Sequence, residues 1–203
     1  MTDSEDNARH RAKMAKRKAV QDAEVAAKTI TQKSLLIVHT GPGKGKSTAA
    51  FGLALRALGR GKRVGVVQFI KGAWATGERF AFEKFADQMI WRTMGEGFTW
   101  ETQDRARDVR AAEAAWAEAR AMLADETLSL VVLDELNIAL RYDYLPLDEV
   151  VEALSARRKG LHIVVTGRNA KPALLEAADL VTEMTLVKHH FAAGVKAQEG
   201  IEF

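Results

Sequence analysis

No cysteine occurs in the 203 residues, which excludes a disulfide framework, a thiol nucleophile and a thiolate metal site. No apolar run approaches the roughly 20 residues that cross a bilayer, and the polar N-terminus has no signal-peptide core. The expectation is a cytoplasmic protein with no membrane segment. A net charge of +3 is too small a basic excess to imply a nucleic-acid partner. Internal repeats and long linkers are absent, and His189 and His190 fit no metal-ligand spacing. The length suits one domain with a real core, with or without a tail.

What the chain does have is a nine-residue stretch around which the rest is organised: Thr40-Gly41-Pro42-Gly43-Lys44-Gly45-Lys46-Ser47-Thr48. Strand-forming residues (Leu35 to Val38) lead into it, and an apolar helical pattern (Ala49 to Leu58) leads out. Strand, glycine-rich turn and helix, with Gly-Lys-Ser at the end of the turn, make a P-loop. Glycines let the backbone wrap with its N–H groups inward, and the helix directs its positive end at the same space. Lys46 adds a mobile charge for phosphate oxygens, and the Ser47 hydroxyl suits Mg²⁺. Thr40 stands where the pattern usually opens with glycine.

Residues 1–33 read differently. An acidic tip (Asp3, Glu5, Asp6) precedes a basic run from Arg9 to Lys18, and helix formers continue to Ala27 with only a thin apolar stripe of Met14, Val20 and Val25. Alone such a segment has marginal helicity. It is either a solvated basic arm or a lid for an anionic ligand or a partner subunit. From Ser34 onward strands alternate with helices. The expected fold is a three-layer α/β sandwich of the RecA-like P-loop class, with a mostly parallel sheet of five or six strands. Strands are expected at 64–69, 88–92, 128–133, 163–166 and 180–185. Helices are expected at 80–85, 104–124, 148–158 and 172–178. The domain then runs from residue 34 to 203, with 1–33 as the arm.

In such a sheet the ligand lies beyond the carboxyl ends of the strands. Those ends carry the P-loop, Gln68 with Lys71, the loop with Phe98 and Trp100, Asp134-Glu135, and Arg168. Leu130 to Glu135 fits the second nucleotide signature, an apolar strand ending in acid, whose carboxylates hold Mg²⁺ opposite Ser47. Glu135 is either a metal ligand or an activator of water, so the reaction stays open at this point. Arg168 has the planar fork of donors that suits phosphate. His39 is expected to be packed rather than catalytic. Phe98 and Trp100, two apart in the loop just after Gly95 and Gly97, either fold into the core or line a site for a large flat ligand.

Several of these stretches together resemble one family, the ATP:corrinoid adenosyltransferases of cobalamin biosynthesis. They are Gly41 to Gly52, Val67 to Gly72, Gly97-Phe98-Thr99-Trp100-Glu101, Leu133-Asp134-Glu135-Leu136, Thr166-Gly167-Arg168, Val187-Lys188-His189 and Gly194 to Ile201. The segment Arg11 to Asp22 resembles the branch that acts on cobyrinic acid a,c-diamide. The resemblance implies that Co(I) attacks the 5′-carbon of ATP, forming a cobalt–carbon bond and releasing triphosphate. It also implies that ATP lies reversed in the loop, with the ribose carbon outward. Gly41, Pro42, Gly43, Lys44, Gly45, Lys46, Ser47, Thr48 and Arg168 would bind the nucleotide. Ser47, Asp134 and Glu135 would bind Mg²⁺ (or Mn²⁺). Some branches carry a polar residue at Pro42, where proline offers no donor.

Phe98 and Trp100 would pack on the lower face of the corrin and exclude an axial ligand, easing reduction to Co(I). With Lys46 and Glu135 they form the expected catalytic set. A homodimer with the N-terminal helix over the corrinoid, and a flavoprotein reductase as partner, are implied as well. The Asp-x-His-x-x-Gly motif of corrinoid-carrying modules is absent. The alternative is a RecA-like ATPase that hydrolyses ATP, and a third is a nucleotide sensor whose arm binds a partner.

Overall fold

Six short runs rich in Val, Ile and Leu line up as one parallel sheet, and their order sets where the site lies. The computed structural model of the chain describes residues 3–70, 77–95 and 104–202. The strands are β1 (Leu36–Thr40), β2 (Arg63–Gln68), β3 (Met89–Thr93), β4 (Leu128–Asp134), β5 (His162–Thr166) and β6 (Leu180–Glu183). Their spatial order is β3-β2-β4-β5-β1-β6, every pairing is parallel, and Val38 is in register with Val165 and Val181. The chain thus forms the six-stranded α/β sandwich expected, with β5 between the P-loop strand and the acid-bearing strand.

Both faces of the sheet's centre are covered, which is why β1 is buried throughout and β4 at every position but Ser129, rather than at alternate positions. One face carries Ile37, Val64, Val66, Leu130, Val132 and Val164. It packs on helix α2 (Lys46–Leu58) through Ala50, Phe51, Ala54 and Leu58. Helix α3 (Gly77–Phe82) runs into a 3-10 turn (Glu83–Phe85) and adds Phe82 to that layer. Phe51, Phe82 and Trp91 form a ring cluster there, with centroids 5.2 to 6.1 Å apart.

The opposite face carries Leu36, Val38, Val131, Leu133, Ile163 and Val165. It is covered by α4 (Arg105–Ala124), α5 (Leu136–Arg141), α6 (Leu147–Ser155) and α7 (Pro172–Ala177). The Asp104 carboxylate accepts from the Arg107 N–H at 3.1 Å and caps α4, so this residue stands just outside the helix. Ala112, Ala115, Trp116, Ala119 and Met122 form its buried stripe. Helix α5 was not anticipated, and α6 stops at Ser155, three residues short of the expected Arg158.

Residues up to Lys33 form a separate unit. It contains helix α1 (Asp3–Ala26), which has no Gly or Pro to break it and carries a Lys18–Asp22 pair at the helical i,i+4 spacing. Its described side chains are exposed apart from half-buried Met14; Val20 and Val25 are more than half exposed. No helix among the described residues is long and apolar enough to cross a membrane.

Candidate active site at the strand ends

The loop between β1 and α2 needs its glycines for two separate reasons. Gly41 and Gly45 have φ of 94° and 99°, in the left-handed region that side chains disfavour. Gly43 is needed for space, because a Cβ there would lie 2.6 Å from the Thr185 carbonyl oxygen and 2.7 Å from that of Met184. The loop therefore rests on the backbone that follows β6. The Gly43 N–H donates to the Met184 carbonyl at 2.6 Å, and the Met184 N–H donates to that of Thr40 at 2.9 Å.

Lys46 opens α2 and folds back, with its ammonium donating to the carbonyls of Gly41 at 3.0 Å and of Gly43. The side chain is buried, and this burial pushes its pKa down. The negative charge of Glu135 pulls the pKa up, while Arg168 and Lys44 push it further down. Four expected site residues from three separate loops thus share one electrostatic neighbourhood. Ser47 is half-buried beside Lys46, while Pro42, Lys44 and Thr48 are exposed. His39 is buried below the loop with Nδ1 3.3 Å from the Lys46 carbonyl, in the packed role expected of it.

The acidic end of β4 is held by a polar network running across four strand ends. Asp134 is fully buried. Its Oδ2 accepts from Gln68 Nε2 at 3.1 Å and its Oδ1 from the Thr166 hydroxyl at 2.8 Å. Gln68 Oε1 in turn accepts from Trp91 Nε1 at 3.2 Å and from the Thr93 hydroxyl at 3.1 Å. The Thr166 oxygen also accepts the Glu135 N–H at 2.9 Å. That bond holds Glu135 at φ 62°, a left-handed conformation that costs a glutamate about 1 kcal/mol or more.

The turn after β5 is braced on the same residues. Asn137 Nδ2 donates to the Gly167 carbonyl at 2.9 Å. A Cβ on Gly167 would lie 2.8 Å from that of Asn137 and 3.1 Å from Glu135 Oε2. The Ala170 N–H donates to the Thr40 hydroxyl at 3.1 Å, joining this turn to the P-loop, and Arg168 between these ties is exposed. Thr166 and Asn137 escaped sequence reasoning as structural hubs, although the motif Thr166-Gly167-Arg168 was the available signal. Lys71, Phe98 and Trp100 lie outside the described residues.

A glycine loop on β1, an acid on β4 and one strand between them define a P-loop protein of RecA-like architecture. Residues 32–203 match the family described as ATP:corrinoid adenosyltransferase BtuR/CobO/CobP, and residues 1–25 match the one described as Cob(I)alamin adenosyltransferase N terminal. A corrinoid adenosyltransferase of Pseudomonas aeruginosa is 56% identical over 199 residues, covering 98% of each chain. One from Sinorhizobium is 58% identical over 98% of this chain and 93% of its own, and one from Escherichia coli is 50% identical over 90% and 91%. The chain belongs to the ATP:corrinoid adenosyltransferase family, and is a transferase whose substrates are ATP and a corrinoid.

Proposed function

We propose that the protein transfers the 5′-deoxyadenosyl group of MgATP to the Co(I) of cob(I)yrinic acid a,c-diamide and releases triphosphate. The observation that carries the reading is the family match over residues 32–203, on a chain whose P-loop lysine is in electrostatic reach of Glu135 and Arg168. An electron pair on cobalt attacks C5′, the C5′–O5′ bond breaks, and its electrons leave with the triphosphate. Negative charge therefore grows on the leaving group, and donors aimed at that group lower the barrier.

Pro42 has no N–H and that of Gly43 is engaged by Met184, so the loop amides left for phosphate run from Lys44 to Thr48. Lys46 would exchange the carbonyls of Gly41 and Gly43 for phosphate oxygens, and Arg168 would approach from the β5 turn. Ser47, Asp134 and Glu135 form an all-oxygen donor set that fits Mg²⁺ or Mn²⁺, with Asp134 already oriented by Gln68 and Thr166. The bound ion would supply positive charge to the triphosphate. The remaining contribution is positioning, which holds C5′ in line with the metal of the corrinoid.

Phe98 and Trp100 are assigned to the lower face of the corrin, where they would exclude an axial ligand and ease the reduction of Co(II) by a flavoprotein. The basic arm is assigned as a lid within a homodimer; a dimer mass in sedimentation is the expected result. The deciding experiment is product analysis with MgATP, with and without chemically reduced corrinoid under anaerobic conditions. Triphosphate should appear one-for-one with a light-sensitive alkylcorrinoid, and only when Co(I) is present. ADP and phosphate released regardless of corrinoid would overturn the reading in favour of an ATPase.

A further inference from the structure

Among the described residues, Glu202 brings the C-terminal segment back to the P-loop. Beyond Thr185 the chain is mostly exposed, with Val187, Phe191 and Ile201 at 94%, 71% and 80%. Its hydrogen bonds are local, such as Val195 N–H to the His190 carbonyl and Glu202 N–H to that of Gln198. Among the described residues, the polar bond that ties 186–202 back to the sheet is the ion pair between Glu202 and Lys44. Lys44 sits between Gly43 and Gly45, in the middle of the phosphate loop.

Glu202 also faces His189 and His190, with Oε1 3.5 Å from His190 Nε2. Ligand atoms of these three residues lie within 4.8 Å of one another. A metal site is nevertheless a poor reading. His189 Nδ1 already accepts the Phe191 N–H at 3.1 Å, which puts the ring proton on Nε2. The cation that meets the Glu202 carboxylate is the Lys44 ammonium. That bond, before any other contribution, holds the carboxyl below its ordinary range.

We propose that Glu202 is an internal stand-in for the nucleotide triphosphate at Lys44. In the nucleotide-free protein it holds the ammonium, and an arriving triphosphate takes the ammonium over and frees residues 186–202. The inference rests on the P-loop being the nucleotide site. Its basis is charge: Lys44 can satisfy one carboxylate or a polyanion of higher charge, and a carboxylate left beside that polyanion is repelled. With Lys44 half-exposed the pair is weak and the polyanion prevails. Glu202 is thus a positioning residue that sets nucleotide affinity, and the C-terminal segment is the element that responds to occupancy.

The test uses the full chain, its Glu202→Gln variant, and tripolyphosphate with Mg²⁺ as the probe. Calorimetric titration should show the variant binding about two- to fivefold more tightly, the range of an exposed ion pair. Trypsin cleavage after Lys188 and Lys196, followed by mass spectrometry, should accelerate on saturation of the wild-type protein. The variant should be cut rapidly with or without the probe. Wild-type protein that binds tripolyphosphate with no change in cleavage overturns the proposal alone, as does weaker binding by Glu202→Gln. Wild-type protein that binds neither tripolyphosphate nor ATP overturns the nucleotide reading itself and this inference with it.

Discussion

The Thr166 hydroxyl is one atom pair on which two site carboxylates depend, and Thr166→Val removes it at nearly constant volume. The oxygen donates to the buried Asp134 Oδ1 at 2.8 Å and accepts the Glu135 N–H at 2.9 Å. The first bond is to a charged group and contributes about 1.5–3 kcal/mol; leaving the amide unpaired costs about 1–3 kcal/mol. A net loss of about 3–5 kcal/mol is expected, a large share of the roughly 5–15 kcal/mol that holds a domain folded. For a chain of this size each kcal/mol shifts Tm by about 2–4 °C, so the drop should be about 6–20 °C. Calorimetric unfolding of wild type, Thr166→Val, Asp134→Asn and the double variant measures it, and the cycle isolates the coupling of the two residues. The valine also releases Glu135 from its left-handed constraint, so MgATP affinity should fall more in Thr166→Val than in a core substitution of equal Tm loss. A Tm drop below about 2 °C, or additive single variants, would refute the reasoning that the network is dry and coupled.

Gly43→Ala should lower Tm and weaken ATP at least tenfold in a binding titration, because the new methyl meets backbone oxygens at 2.6 and 2.7 Å. Gly52→Ala, with nothing within 4 Å and a helical backbone, should instead stabilise by about 0.5–1 kcal/mol; equal behaviour of the two would remove the wall behind the loop. Burial holds the His39 imidazole below its ordinary value of 6.5. The unfolded chain therefore takes up that proton first, and stability should fall as pH drops through about 6.5, levelling off below the folded value. Urea midpoints of wild type and His39→Asn measured from about pH 7.5 to 5 should diverge, with the variant flatter; parallel curves would count against it. Trp100→Ala should depress corrinoid reduction and adenosylation with MgATP affinity nearly unchanged, and an equal loss of ATP binding would sink its assignment to the corrin face.

The central strands β1, β2, β4 and β5 were legible because they are buried on both faces and read as short apolar, β-branched runs between turn residues. The P-loop was legible because its glycines are demanded by local backbone geometry as well as by space. Helix α5 was not, since six residues are too few to show a period and Glu135 gives it no conventional cap. The strand order is likewise a property of crossovers rather than of any one segment. Within the candidate site, Asp134, Glu135, Arg168 and Gln68 could be named because each stands at or just beyond the carboxyl end of a strand. What could not be read was who holds them: Thr166 and Asn137 matter through partners about 30 positions away in the chain, and a P-loop motif says nothing of Glu202, which is paired with a lysine 158 residues distant.

The wall behind the phosphate loop has a consequence for the order in which the molecule is made. Residues 41–45 are synthesised well before their resting surface, Met184 and Thr185, far downstream in the chain. Strand β1 likewise waits for both neighbours, β5 and β6, which follow it at long sequence separation. Contacts of such long sequence separation form slowly, because loop closure must come first. The nascent chain thus carries its most recognisable motif without the scaffold that shapes it until β5, β6 and the turn after β6 have been made.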